Sequence, residues 1–309
     1  MYRLEDIETF VRVVDAGTLT EAARRLGISK SVVSRRLSEL ERTLGVRLLQ
    51  RSTRHLGLTH TGAAFYERCV AILADLGEAV DAVTEQTGEL KGHLRLAVPV
   101  SFGILHLGSA LCGFMQKHPG VSLDLDLNDR YVDLVSEGYD MAVRIGRLPD
   151  SSLIARRLAT SRRVLCCSPA YAARRGLPER LADLAGHDCL TYASSTGQQL
   201  QWQFQNGNEI ERVRVDSRFH ANNGDVLRDA AVGGLGITVL PTFLVADPIG
   251  RGQLQIVLPD CEPVPGNVYA IYPQNRHLSA KVRGLVDHLL AAFGDPPYWD
   301  AVLGASRAA

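Results

Sequence analysis

Hydrophobic positions in the first ninety residues recur at helical spacing, and glycines and capping residues between them mark off short helices. Leu4, Ile7, Phe10, Val11 and Val14 form the apolar stripe of a first helix. Thr18 with Glu21 three residues on is a capping box, so a second helix starts there. It carries Ala22, Ala23 and Leu26 as a small apolar face and stops at Gly27. Ser29 can cap a third, in which Val33, Leu37, Leu40 and Leu44 recur at spacings of four, three and four. At about 100° per residue, Ser31, Ser34, Arg35 and Ser38 then lie on the opposite, polar face. The run LGVRLLQRSTRHLGLT predicts a short strand over 46–49, a loop with Arg51 and Arg54, and a return strand at Leu56 and Leu58. Beyond it, Thr61 can cap a long helix in which Phe65, Cys69, Ile72, Leu76, Ala79 and Val83 alternate spacings of four and three. That is a heptad seam. Lying between two domains, it reads as a dimerisation helix rather than one packed on its own domain.

The pattern changes after GELKG at 88–92, a hinge bracketed by Gly88 and Gly92. HLRLAVPV predicts a strand, 104–117 a helix, VSLDLDLND a strand of period two, 131–137 a helix and YDMAVRIG a strand. The order βαβαβ implies a parallel sheet with helical crossovers. A less regular alternation follows, with strands at VLCCS, VRVDSRF, GITVLP and VYAIYP and helices over 224–232 and 279–293. The architecture expected is α/β, in two lobes, behind an all-α winged helix-turn-helix domain and a long linker helix. The tail at 295–309 is Pro-broken and Ala-rich and is expected to fray or lie on the surface.

Composition is ordinary for a globular chain of 309 residues, with 46% hydrophobic and 22% charged residues. The charge is not evenly spread. Lys and Arg balance Asp and Glu at 34 each overall, yet 24–54 holds nine basic residues against Glu39 and Glu41. A helix face of small hydroxyls with Lys30, Ser31, Ser34, Arg35 and Ser38, next to a basic loop with Arg51 and Arg54, suits a major groove and its phosphates. Double-stranded DNA is the partner this implies, and paired readers on one dimer imply an interrupted inverted repeat. The bland alternative is a helical hairpin with a solvated face. MYRLEDIETF is no signal peptide, and the uncharged apolar window 230–246 is interrupted by Gly233, Gly234, Gly236 and Pro241; a cytoplasmic protein with no membrane partner is expected. Cys69, Cys112, Cys166, Cys167, Cys189 and Cys261 form no CxxC pair and no zinc spacing, so no metal or cofactor is expected. The vicinal Cys166 and Cys167 raise redox gating as an alternative to plain packing thiols.

The segments LEDIETFVRVVDAGTLTEAARRLGISKSVVSRRLSELERTLGVRLLQR, TRHLGLTHTG, DLVSEGYDMAVRIG and GGLGITVLP together resemble the LysR-type transcriptional regulators over nearly the whole chain. The resemblance implies that the third helix enters the major groove and the wing touches the minor groove or backbone. The family often has Gln and Pro where this chain has Lys30 and Ser31. It further implies a winged helix-turn-helix domain at 1–60, a linker helix at 61–87, and an effector domain at 93–294 with a periplasmic-binding-protein-like fold. Lobe I would be 93–162 with 266–294, and lobe II 163–265. A homodimer or homotetramer is implied, with RNA polymerase as a further candidate partner.

In open α/β sheets ligands gather beyond the carboxyl ends of strands, where helix amino termini present free N–H groups. That rule selects Ser101 and Phe102, Asn128 with Asp129, Ser168, and Asn222 and Asn223, with Arg144 as a cation for an acidic effector. A carboxylate is the favoured ligand class. Ser101 and Ser168 are equally good helix caps, Asn222 and Asn223 can simply shape a turn, and Arg144 can pair with Asp140. Asp129 would repel a carboxylate unless Arg130 or Arg147 neutralises it. GGLGITVLP is a poor dinucleotide fingerprint, because its glycines precede the strand. With no HExxH, GxSxG or P-loop, an enzyme is not expected.

Overall fold

The computed structural model describes residues 3–51, 56–84, 89–146, 148, 153–194, 197–198, 200–207, 209–273, 279–301 and 303. They divide into two compact units. One comprises Met1–Leu90, Val132–Tyr139 and Asn275–Ala280; the other comprises Lys91–Tyr131, Asp140–Gln274 and Lys281–Ala309.

The first unit holds helices α1 (Leu4–Ala16), α2 (Leu19–Leu26), α3 (Lys30–Leu44) and α4 (His60–Thr84), with strands β1 (Leu49–Arg51) and β2 (Leu56–Leu58) before α4. Thr18 Oγ1 accepts from Glu21 N at 3.2 Å and Ser29 Oγ from Val32 N at 3.4 Å, so both caps form. Phe10, Val13, Ala22, Val33, Leu37 and Leu40 close a shared core with Leu48 and Cys69. The strand over 46–49 starts later than expected. The Glu41 carboxylate takes the N–H groups of Leu48 and Leu49 at 2.9 and 3.1 Å, and pairing with β2 begins only at Leu49. Thr59, not Thr61, caps α4, accepting from Gly62 N at 2.9 Å. Gly62 is required there: a Cβ would stand 2.0 Å from the Leu48 carbonyl oxygen. Arg54 and Gly88 lie outside the described residues.

The second unit opens with β3 (Gly92–Val98). Helix α5 (Val100–Phe102) runs through a π turn at Gly103–Leu107 into α6 (Gly108–Lys117), and β4 (Val121–Leu127), β5 (Met141–Ile145) and β6 (Leu153–Ser161) follow. Next come β7 (Arg163–Cys167), α7 (Pro169–Arg175), β8 (Cys189–Ser194), β9 (Gly197–Gln198), β10 (Gln201–Asn206), β11 (Glu209–Arg214), β12 (Ser217–Ala221), α8 (Gly224–Val232), β13 (Ile237–Pro241), α9 (Thr242–Gly250), β14 (Gln255–Ile256), β15 (Gly266–Pro273) and α10 (Ala280–Phe293). The first sheet is ordered β4-β3-β5-β15-β6 and the second β12-β8-β13-β7-β14. The chain passes between the sheets at β6 to β7 and again at β14 to β15.

Both sheets are mixed. β3, β4 and β5 are parallel, as the βαβαβ order requires, but β15 is antiparallel to β5 and β6. In the second sheet β8, β12 and β13 are parallel and β7 runs against β13, with Cys166 opposite Thr238 and Arg163 opposite Pro241. Three local expectations are corrected. The tail does not fray or lie on the surface as far as it is described: Trp299 and Leu303 are buried, and the Trp299 ring packs on Phe102 and Phe293. The stretch 131–137 is a single turn and not a helix: Asp133 Oδ1 caps it by accepting from Val135 N and Ser136 N, and Gly138, at φ 70°, ends it at once with its N–H on the Val135 carbonyl. VRVDSRF is split into β11, which forms a hairpin with β10, and β12, which joins the sheet.

Candidate functional site

Two sites are built by these elements, one in each unit. On α3, the buried Val33, Leu37 and Leu40 turn the opposite face outward: Lys30, Ser31, Arg35 and Ser38 are exposed and Ser34 half-buried. Ser31 Oγ lies 2.8 Å from Ser29 Oγ at the cap. Neighbouring basic residues are spoken for. Arg36 turns back to Glu5 at 2.5 Å and to Thr9 at 3.3 Å, while Arg24 and Arg25 both bond Glu21, whose carboxyl their hydrogen bonds hold down at about 2. Among the described residues no carboxylate pairs with Lys30 or Arg35. Arg51 begins the wing turn from β1; its side chain, like all of Arg54, lies outside what is described.

The second site is a cavity of about 1250 Å³ in the second unit, lined from both of its sheets. Its lining includes the expected Ser101, Phe102 and Arg144 but not Asn128, Ser168, Asn222 or Asn223. Strand direction explains Ser168. Because β7 is antiparallel to β13, the carboxyl end of β7 lies with the amino end of β13, and Ser168 there caps α7 by accepting from Tyr171 N at 3.2 Å. Asn128 ends the edge strand β4 and donates to Asp126 at 2.8 Å. Asn223 caps α8 through Asp225 N and Val226 N, and Asn222 is exposed. Ser101 donates to Asp225 Oδ2 at 2.5 Å, joining α5 to α8, and Arg228 holds the other oxygen of Asp225 at 2.6 Å.

The same strand reversal brings in a residue the carboxyl-end rule passes over. Arg163, at the amino end of β7, sits beside Pro241 at the carboxyl end of β13, and both line the cavity. Its Nε is buried without a hydrogen-bond partner, no carboxylate pairs with it among the described residues, and burial pulls its pKa below the usual guanidinium value. Arg144 is 7% exposed, with its guanidinium 5.5 Å from the Tyr131 ring centroid. The signal in the sequence was the Arg162–Arg163 pair opening the apolar run VLCC.

Comparison with known proteins decides the family. Residues 4–63 match the bacterial regulatory helix-turn-helix protein, lysR family, and residues 87–294 match the LysR substrate binding domain. The chain belongs to the LysR family. It is 37% identical to an HTH-type transcriptional regulator of Haemophilus influenzae over 92% of this chain and 99% of that protein. With the regulator DmlR of Escherichia coli it shares 35% identity over 94% of this chain and 95% of that protein. The solved structure of CrgA, a LysR-type transcriptional regulator from Neisseria meningitidis, has a TM-score of 0.60 at 31% identity, covering 93% of this chain and 97% of that one. This LysR-type regulator thus pairs a DNA-binding helix-turn-helix with a two-sheet substrate-binding domain.

Other chemistries find little support in its residues. Cys166 and Cys167 are fully buried and burial raises both thiols, which disfavours the thiolate that oxidation needs. Among the described residues there is no cluster of three or more His, Cys, Asp or Glu placed to hold a metal ion. No described helix is long and apolar enough to cross a membrane.

Proposed function

We propose that this LysR-type regulator reads an interrupted inverted repeat in double-stranded DNA as a dimer or tetramer, and that a small organic anion, a carboxylate, in the cavity of its substrate-binding domain sets that binding. The single observation behind the effector class is Arg163, a half-buried guanidinium that lines the cavity and that no carboxylate pairs with among the described residues. A cation so placed favours an anion that arrives from solution.

The DNA reading assigns Lys30, Ser31, Ser34, Arg35 and Ser38 to the groove and Arg51 and Arg54 to the wing. Its dimer rests on α4. Phe65 and Cys69 of the heptad seam pack into the first core, whereas Ile72 and Leu76 are 53% and 42% exposed, which leaves an apolar strip for a second copy of the chain. The anion acts by holding the two sheets in one relation and so biasing how the paired α3 helices are presented.

The test is thermal unfolding of the full-length protein against aliphatic and aromatic carboxylates, repeated in Arg163→Gln, with operator affinity measured beside it. A carboxylate at about 100 times its Kd stabilises the fold by roughly 2.7 kcal/mol. A hit that changes DNA affinity and disappears in Arg163→Gln is expected. Hits indifferent to Arg163 would show the anion binds elsewhere.

A further inference from the structure

A second, smaller cavity of about 350 Å³ opens in the second unit between β7, β14, the turn over 257–263 and the carboxyl-terminal tail. Its walls are mostly apolar, with Val164, Leu165, Ile256, Val257 and Leu258 on one side and Leu303 from the tail. Two observations distinguish it from a packing gap. Asp300, which ends a 3-10 turn over Tyr298–Asp300, lines the cavity at 8% exposure, and its Oδ1 is buried without a hydrogen-bond partner. Arg162, at the same cavity, is held by Glu262 at 2.9 Å, and among the described residues no cation pairs with Asp300. Leu258 is the second observation. At φ 48° it is the one non-glycine among the described residues in the left-handed region, and its carbonyl accepts from Cys261 N at 2.9 Å. A side chain held in that conformation costs free energy, and such residues gather at ligand sites.

A carboxylate removed from water is stable only with a charged or hydrogen-bonding partner, and aliphatic walls supply neither. We infer that this cavity is a second ligand site, taking a small primary amine with an apolar body, its ammonium on Asp300 and its body against Val164, Leu165 and Leu303. A single such carboxylate suits a monoamine rather than a polyamine, because Glu262 is already engaged by Arg162. A metal ion is a poorer occupant, since no three His, Cys, Asp or Glu gather to hold one among the described residues. Arg163 lines this cavity as well as the larger one and brings like charge to it. Removing that guanidinium should therefore tighten an amine here, the opposite of its effect on an anion in the larger cavity. The amine site thus stands or falls separately from the anion site.

The experiment titrates full-length protein with hexylamine beside hexanol, which has the same body without the charge, and follows modification of Cys261 by methyl methanethiosulfonate with mass spectrometry. Cys261 is half-buried and lines the cavity, whereas Cys112, exposed on α6, serves as the internal control. Hexylamine is expected to bind about 10- to 100-fold tighter than hexanol, the gain of a charge-assisted contact with a buried carboxylate. It should also slow modification of Cys261 and leave Cys112 unchanged. Asp300→Asn should abolish the preference for the amine, and Arg163→Gln should tighten hexylamine. Equal affinities of amine and alcohol in the parent, or a preference that survives Asp300→Asn, overturns the amine site. If Asp300→Asn does not fold, Cys261 decides: modification unaltered by hexylamine overturns the site as well. A carboxylate response lost in Arg163→Gln, with no binding of hexylamine to the parent, overturns the amine site alone and leaves the anion site standing.

Discussion

Replacing Arg163 with Met should make the ligand-free protein more stable and at the same time deaf to anions. The guanidinium is half-buried at the cavity wall, its Nε makes no hydrogen bond, and no carboxylate pairs with it among the described residues. Removing a buried polar group that lacks partners recovers about 1–3 kcal/mol, and replacing buried charge by apolar side chains of similar volume is often stabilising by about 1–4 kcal/mol. Arg163 keeps part of its hydration from the open cavity, so the lower end applies, about 1 kcal/mol. For a unit of this size that raises Tm by about 2–4 °C. Thermal unfolding of the full-length parent and Arg163→Met in chloride buffer measures it, and the same scans with a bound carboxylate should show the stabilisation only in the parent. A drop in Tm of several degrees would refute the reasoning, for the guanidinium would then be holding the fold through bonds of its own rather than awaiting an anion.

Three further outcomes test the rest of the molecule. Arg35→Ala removes an exposed side chain on α3, so Tm should hold while specific DNA affinity falls by about 1–3 kcal/mol in fluorescence anisotropy; an unaltered affinity would remove Arg35 from the interface. Leu76→Asp places a charge in the exposed apolar strip of α4 and should shift sedimentation toward monomer, whereas an unchanged oligomer would mean another surface does the pairing. His106 is buried, with Nε2 3.0 Å from the Phe243 carbonyl and Nδ1 2.6 Å from the Tyr298 hydroxyl, and burial lowers its pKa. Its folded value lies below the unfolded value of about 6.5, so its neutral form contributes stability fully above that pH, and the contribution is lost as pH falls through the folded pKa. Urea titrations at pH 7.5 and 5 should therefore show a smaller acid loss in His106→Gln than in the parent, and equal losses would count against this assignment.

Element type was legible wherever a segment's own spacing determines which face is buried. The stripe Leu4, Ile7, Phe10, Val11 and Val14, the caps at Thr18 and Ser29 and the recurrence from Val33 to Leu44 correspond to α1, α2 and α3, because helix periodicity and capping act within a few residues. The same local reasoning failed at 131–137, where Gly138 in the left-handed region stops the chain after a single turn. It also failed at VRVDSRF, where one apolar run serves two different pairings.

What the sequence alone determined was the helix-turn-helix with its outward hydroxyl and Arg35 face, the long helix α4, and the presence of two α/β lobes after residue 92. Amphipathic periodicity and charge placement carry that information along the chain. What only the tertiary structure decided was which polar residues meet. Ser101 reaches Asp225 across 124 positions, and Arg144 and Arg163 face one cavity from separate sheets. The reason is strand direction. A strand's apolar pattern reads the same whichever way it runs, so nothing in RVLCCS says whether its amino or carboxyl end faces the ligand. Pairing against β13 settled it, turning Ser168 into a helix cap and Arg163 into a wall of the cavity.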